Sequence, residues 1–179
     1  MTIPDRLAPL VVDASAAIAI AVGEPQGRTA LRLLGERRAN GGTLLVPSFF
    51  WLEVVNVLAL RYRFSAALVV QAVVDLEKLR LETIQLDRPK LLLTVDVMTR
   101  AGLSAYDAGY LALAESADAQ LLTADHRLAE AAAGRALPLT GDHRIKESLE
   151  PYLGSWASWP GAQAYLKELR AELVGEWNG

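Results

Sequence analysis

Four acids stand at positions where carboxylates do chemistry. Asp13 ends the apolar run Leu10-Val11-Val12. Glu53 falls early in the helical pattern after a second apolar run. Asp107 closes Ser104-Ala105-Tyr106-Asp107, and Asp125 follows Leu121-Leu122-Thr123-Ala124. Each has a purely structural explanation. Asp13 and Asp125 suit helix N-caps, Asp107 the third helical position of a capping box, and Glu53 the positive end of a helix dipole. Together they ask for more. Two carboxylates ~4 Å apart at an effective dielectric of ~20 repel by about 4 kcal/mol, and a divalent cation relieves that crowding more completely than a proton. Mg²⁺ favours carboxylates, retained water and substrate phosphate, so the set points to metal-assisted phosphoryl chemistry. Ser15, two residues after Asp13, and Thr123, two before Asp125, carry hydroxyls that can orient a carboxylate or a water, or cap locally. Asn56 shares a helix face with Glu53, unless it is simply a solvated amide.

The elements that must position these acids are legible from apolar patterning. Strands are expected at Leu10–Asp13, Thr43–Val46, Glu82–Leu86, Gln120–Thr123 and Ala136–Leu139. Helical segments fall between them. One runs from Ala14 to Val22 and a second from Gln26 to Ala39. A third opens at Pro47, which suits a first helical turn, and continues to Arg61. A fourth is capped by Ser65, a fifth opens at Asp87 and Pro89, and others follow Ser104 and Asp125. Strands alternating with helices imply a mostly parallel sheet covered on both faces. In such sheets ligands bind outside the carboxyl ends of the strands, and right-handed crossovers carry strands one, two and four to that shared edge.

Bulk properties narrow the chemistry. The 179 residues are 52% hydrophobic with a formal charge of −3, enough apolar content for one packed domain with an appendage. The absence of cysteine removes disulfides, thiolate catalysis and cysteine zinc sites. Two histidines, His126 and His143, do not make a histidine-rich site, so any metal should be a hard cation held by oxygen. The segment from Leu7 to Val22 imitates a signal peptide, but Asp13 splits it and Arg6 is the only basic residue ahead of it. No apolar run reaches the ~18 residues needed to cross a membrane, and a cytoplasmic protein with no membrane partner is expected. There is no G-x-x-x-x-G-K-[ST] and no G-x-G-x-x-G. A haloacid-dehalogenase-type site would want an acid where Ser15 stands, and the acid pair and late lysine of a receiver domain are missing.

Val12-Asp13-Ala14-Ser15-Ala16, Glu53-Val54-Val55-Asn56-Val57-Leu58, Ser104-Ala105-Tyr106-Asp107-Ala108 and Leu121-Leu122-Thr123-Ala124-Asp125-His126-Arg127-Leu128 resemble the motifs of PIN-domain ribonucleases. They look most like those of the VapC toxins of toxin–antitoxin pairs. The resemblance covers roughly residues 9 to 142, with the motifs in the family's order. It implies a three-layer α/β/α sandwich around a parallel five-stranded sheet of order 3-2-1-4-5. It implies Mg²⁺ or Mn²⁺ held by Asp13, Glu53, Asp107 and Asp125, and endonucleolytic cleavage of RNA. A homodimer and a small antitoxin whose tail enters the groove are also implied. The mechanism expected is in-line attack of an activated water on a phosphodiester, with Ser15, Asn56 and Thr123 in support. Two other readings share these residues. One is a non-catalytic PIN-like interaction module, which has no reason to keep all four acids. The other is a PIN nuclease acting in RNA processing or on structured DNA outside a toxin pair.

Arg61, Arg63, Arg100 and Arg127 flank the acids and are candidate phosphate contacts, with Tyr62 or Trp51 available to stack on a base. Isolated arginines on helices are more often solvated, and Trp51 suits core or dimer packing better. Residues 1–142 are assigned to the nuclease domain and 143–179 to an extension that departs from the family pattern. The extension holds Trp156, Trp159 and Trp177, and an amphipathic repeat through Ala162, Leu166, Leu169 and Leu173. It could pack on its own domain, extend a dimer interface, or enter the groove with Lys167 or Arg170 near the acids.

Overall fold

A computed structural model of the chain describes residues 7–139. The extension 143–179 and its amphipathic repeat lie outside those residues. Five strands form one parallel sheet: β1 (Leu10–Val12), β2 (Leu44–Pro47), β3 (Glu82–Ile84), β4 (Gln120–Thr123) and β5 (Ala136–Pro138). Their order is β3-β2-β1-β4-β5. Val11 pairs with Leu45 on one side and Leu121 on the other, so β1 sits at the centre. β1 and β2 are buried throughout, and β4 from Leu121 onward. That is the signature of strands covered on both faces, whereas β3, at the edge, is largely exposed.

Seven helices cover the sheet: α1 (Ala14–Ala21), α2 (Pro25–Ala39), α3 (Phe50–Asn56), α4 (Ala66–Glu77), α5 (Arg88–Ala101), α6 (Ala105–Ser116) and α7 (His126–Ala132). α1 packs on α2, α3 and α4, while α6 packs on α5, α7 and three strands, giving the expected three layers. α6 is buried without a break from Ala108 to Ala114. Its small residues let it lie close to its neighbours, and Leu111 and Leu113 are buried on different sides of it. Helix starts follow their polar signals. Ser65 Oγ accepts from Leu68 N–H at 3.4 Å, and Asp87 Oδ1 accepts from Lys90 N–H at 3.0 Å. Gly102, at φ 64°, ends α5 in the left-handed region that glycine tolerates.

Several ends shift by one or two residues from the sequence expectation: β2 starts at Leu44 and not Thr43, β3 ends at Ile84 and not Leu86, β5 at Pro138 and not Leu139, and α1 at Ala21 and not Val22. Three further differences have a structural cause. Asp13 leaves the strand and occupies the N-cap position of α1. Pro47 does not open a helix; it ends β2 opposite Ile84, and α3 starts at Phe50. The reason lies in the ladder. Ser48 N–H donates to Ile84 C=O at 2.9 Å. Successive amides point to opposite sides, so the donor Pro47 lacks would face β1, where pairing has already stopped at Val11 and Leu45. Finally, the helix after β2 does not run unbroken to Arg61. It ends at Asn56 and continues as a π-helical turn, Val57–Arg61.

The α1–α2 contact depends on Gly27. A Cβ there would lie 2.1 Å from the Ala19 carbonyl oxygen. Gly27→Ala should force the two helices apart and cost about 1–3 kcal/mol, read as a lower urea midpoint. A midpoint equal to wild type would contradict this packing.

Candidate functional site

β1 and β4 end side by side, with Val12 opposite Leu122, and this register sets the site. Asp13, next on β1, and Thr123, next on β4, become neighbours across the sheet edge. Thr123 Oγ1 donates to Asp13 Oδ2 at 2.7 Å. Ser15 Oγ donates to the same oxygen and accepts from Ala124 N–H at 2.9 Å. Thr123 Oγ1 also accepts from Asp125 N–H at 2.9 Å. Asp13 makes no hydrogen bond of capping geometry to α1. It is held as a buried carboxylate, 4% exposed, by one hydroxyl from the first turn of α1 and one from the end of β4.

The other three acids line the same cleft of ≈ 330 Å³ at the carboxyl edge of the sheet. Glu53, half-buried on α3, accepts at Oε2 from the Tyr110 hydroxyl at 2.8 Å. Asp107 accepts at Oδ2 from Ser104 Oγ at 2.7 Å, and its N–H returns to that hydroxyl at 3.2 Å, which caps α6. Asp125 caps α7, with Oδ1 accepting from Leu128 N–H at 2.8 Å. So Asp125 is cap and cleft acid at once, and Asp107 is a cleft acid bonded to the cap of its own helix. In Glu53, Asp107 and Asp125 the protein engages one carboxylate oxygen and leaves the other without a donor among the described residues, whereas the Asp13 carboxylate also draws on the Ser15 backbone N–H.

The electrostatics match that crowding. Burial pushes the Asp13 carboxyl up to about 6, against the pull of its Ser15 and Thr123 hydrogen bonds and with a further push from Asp107. Burial also raises Glu53, helped by Asp13 and Asp107 and opposed by the Tyr110 bond. The Tyr110 phenol is shifted well upward by burial and by the Asp13 and Glu53 charges, so it stays a donor. Among the described residues no three acids stand close enough to close around an ion unaided. An all-oxygen set with unengaged carboxylate oxygens still fits Mg²⁺ or Mn²⁺, because Mg²⁺ normally keeps several waters and takes only one or two carboxylates directly.

The secondary candidates separate. Ser15 lines the cleft, and Thr123 is buried behind it. Asn56 is exposed and does not line the cleft. Of the arginines, Arg61 alone lines it. Arg63 is exposed, Arg100 is paired with Glu115 and Asp96, and Arg127 donates to the Gly102 carbonyl at 3.2 Å. Trp51 packs on Phe50, its ring at 83° to that ring and 4.9 Å away. Sequence reasoning passed over Tyr110 and Glu24. The signal for Tyr110 was its place three residues after Asp107, on the same face of α6. Glu24, in the α1–α2 loop, joins the cleft lining, and no local pattern marks it.

The fold and site are those of a parallel α/β/α sandwich whose strand ends and helix starts deliver acids to one edge. The chain belongs to the PIN domain family, whose model matches residues 10–134, and PIN domains are generally nucleases. No curated protein is detectably similar in sequence. Among solved structures the chain resembles PAE2754 from Pyrobaculum aerophilum, at 26% identity and a TM-score of 0.53, over 73% of this chain and 89% of that one. It also resembles a chain of a toxin-antitoxin complex from Klebsiella pneumoniae, at 19% identity and a TM-score of 0.55, over 73% and 98%. The second likeness is one of fold.

A raised carboxyl predicts a particular pH dependence. Between about pH 4 and 6 the folded chain holds a proton on Asp13 that the unfolded chain has lost, so stability falls as pH rises through that window. Above it the full penalty is present, on the order of 2–3 kcal/mol. In EDTA, Asp13→Asn should therefore be more stable than wild type at pH 7, with the gain vanishing near pH 4. Added Mg²⁺ should raise the melting temperature of wild type and not of the variant. A variant less stable than wild type at pH 7 in EDTA would contradict this account of Asp13.

Proposed function

We propose that this chain is a divalent-metal-dependent endoribonuclease and the toxin of a toxin–antitoxin pair. The observation that carries the nuclease reading is the set of four acids on one cleft, each held by hydrogen bonds from the protein. A bound Mg²⁺ or Mn²⁺ would supply Lewis acidity and water activation at neutral pH. Asp13, Glu53, Asp107 and Asp125 are the residues proposed to hold it. The chain's own part is positioning. Thr123 and Ser15 hold Asp13 in one orientation, Tyr110 does so for Glu53, and Ser104 for Asp107. One of these four acids is also proposed to take the proton of the attacking water. A phosphodiester lying along the cleft would meet the water on the side away from its leaving oxygen.

The likeness to a chain of the Klebsiella pneumoniae toxin-antitoxin complex supports a small protein inhibitor as partner. A homodimer is supported by apolar surface that a lone domain leaves in water: Leu52 is 74% and Leu60 72% exposed on α3 and the π-turn, and Leu92 is 60% exposed on α5. No helix among the described residues is long and apolar enough to cross a membrane. A cytoplasmic location, the nuclease domain at 1–142 and the extension at 143–179 are part of the same reading.

The test is cleavage of a mixed single-stranded RNA pool. Wild type with Mg²⁺ should cut internally, EDTA should abolish cutting, and Asp13→Asn or Asp107→Asn should lose at least ~100-fold in rate. Cutting that persists in EDTA, or equal rates for Asp13→Asn and wild type, would sink the reading.

A further inference from the structure

A nuclease cleft lined by five carboxylates repels the polyanion it must bind. Asp13, Glu24, Glu53, Asp107 and Asp125 all line it, and Arg61 is the single cation that does so among the described residues. Its placement is not an accident of an exposed helix, because three features of the chain bring it there.

The first is the π-turn. In an unbroken α-helix, eight residues turn the chain ~80° beyond whole turns, which would carry Arg61 off the face that holds Glu53. The turn Val57–Arg61 takes up one extra residue, marked by Tyr62 N–H donating to Val57 C=O at 3.2 Å, an i→i+5 bond. Arg61 then falls where its predecessor would have been, within ~20° of Glu53, and Glu53, Val57 and Arg61 line the cleft in succession. π-turns inside helices recur at functional sites because they re-aim side chains at a local cost in hydrogen bonding.

The second feature is a latch. The Tyr62 hydroxyl donates to Glu24 Oε1 at 2.9 Å, and Gln26 Nε2 donates to Glu24 Oε2 at 2.7 Å. The loop between α1 and α2 is thereby tied to the end of the π-turn. The third is the Arg61 guanidinium over the Tyr62 ring, 5.7 Å from its centroid. Among the described residues Arg61 makes no ion pair, in contrast to Arg100, which Glu115 and Asp96 occupy.

Building on the nuclease reading, we infer that Arg61 contacts a phosphate of the RNA strand at the mouth of the cleft, with Tyr62 and Glu24 as the positioning residues that hold it there. A planar guanidinium with a fork of donors suits a phosphate better than an ammonium would. The contact also lies on the helix that carries Glu53, so strand position and acid position are set by one element.

The test measures cleavage of a single-stranded RNA that wild type cuts, across a range of salt, for wild type, Arg61→Ala, Arg61→Lys, Tyr62→Phe and Arg63→Ala. Arg61→Ala should raise KM about 10–100-fold with little change in kcat, as for loss of a charge-assisted hydrogen bond. Its slope of log KM against log salt should fall by about one. Arg61→Lys should recover part of the KM. Tyr62→Phe, which keeps the ring and removes the latch, should raise KM about 3-fold, and Arg63→Ala should match wild type. Wild-type KM and salt slope in Arg61→Ala would overturn the inference while leaving the nuclease reading intact. So would an equal loss in Arg63→Ala, the mark of a diffuse basic surface. An unchanged KM in Tyr62→Phe would overturn the latch. No cleavage by wild type would overturn the nuclease reading itself.

Discussion

A carboxylate taken out of water at the end of a central strand is the constraint around which the other parts are arranged. Asp13 is almost fully buried, and an isolated charge in that setting is costly unless hydrogen-bonded or neutralised. Two hydroxyls answer part of the cost. One, Ser15, is local. The other, Thr123, is 110 residues away in the chain and arrives because β4 pairs with β1 in a register that sets Val12 against Leu122. The sheet order is therefore a condition of the site. A one-residue slip between these strands would turn Thr123 to the other face and leave Asp13 with Ser15 alone.

The same logic runs outward. α6 is buried along most of its length, and from this one rigid element Asp107 enters the cleft while Tyr110 holds Glu53. Gly109 lies between them, and a Cβ there would lie 2.8 Å from the Phe49 ring. Phe49 in turn stacks edgewise on Tyr106 and Tyr110, so an aromatic cluster packs against Gly109 and leaves no room there for an extra carbon. Packing, capping and acid placement are done by the same side chains. The tension this leaves, raised carboxyls that weaken the fold at neutral pH, is the kind of local conflict that proteins tolerate at functional sites.

Most of this was readable in the sequence because the acids stand at strand ends and helix starts, where apolar runs stop and capping residues begin. The β4 boundaries and the Ser65, Ser104 and Asp125 caps match the pattern-based expectation, and the strand order matches what the family resemblance implied. The departures come from longer-range causes. Pro47 reads as a helix opener until the ladder on its β1 side is known to have ended. The π-turn at Val57–Arg61 has no breaker residue to announce it. The four arginines look equivalent in the sequence. Only the tertiary arrangement occupies Arg100 with acids and Arg127 with a carbonyl, and leaves Arg61 facing the cleft. Glu24 was illegible for the same reason, since its partner Tyr62 lies far off in the chain, and Tyr110 carried only the signal of its spacing from Asp107.

The central claim is that Asp13 anchors a divalent-cation site shared with acids from α3, α6 and the end of β4. Anomalous diffraction from a crystal soaked in Mn²⁺ tests it most directly. The account predicts a peak ~2.0–2.3 Å from an Asp13 carboxylate oxygen, with at least one of Glu53, Asp107 and Asp125 in its shell or one water away. A peak outside the cleft, or none at saturating Mn²⁺, would contradict it.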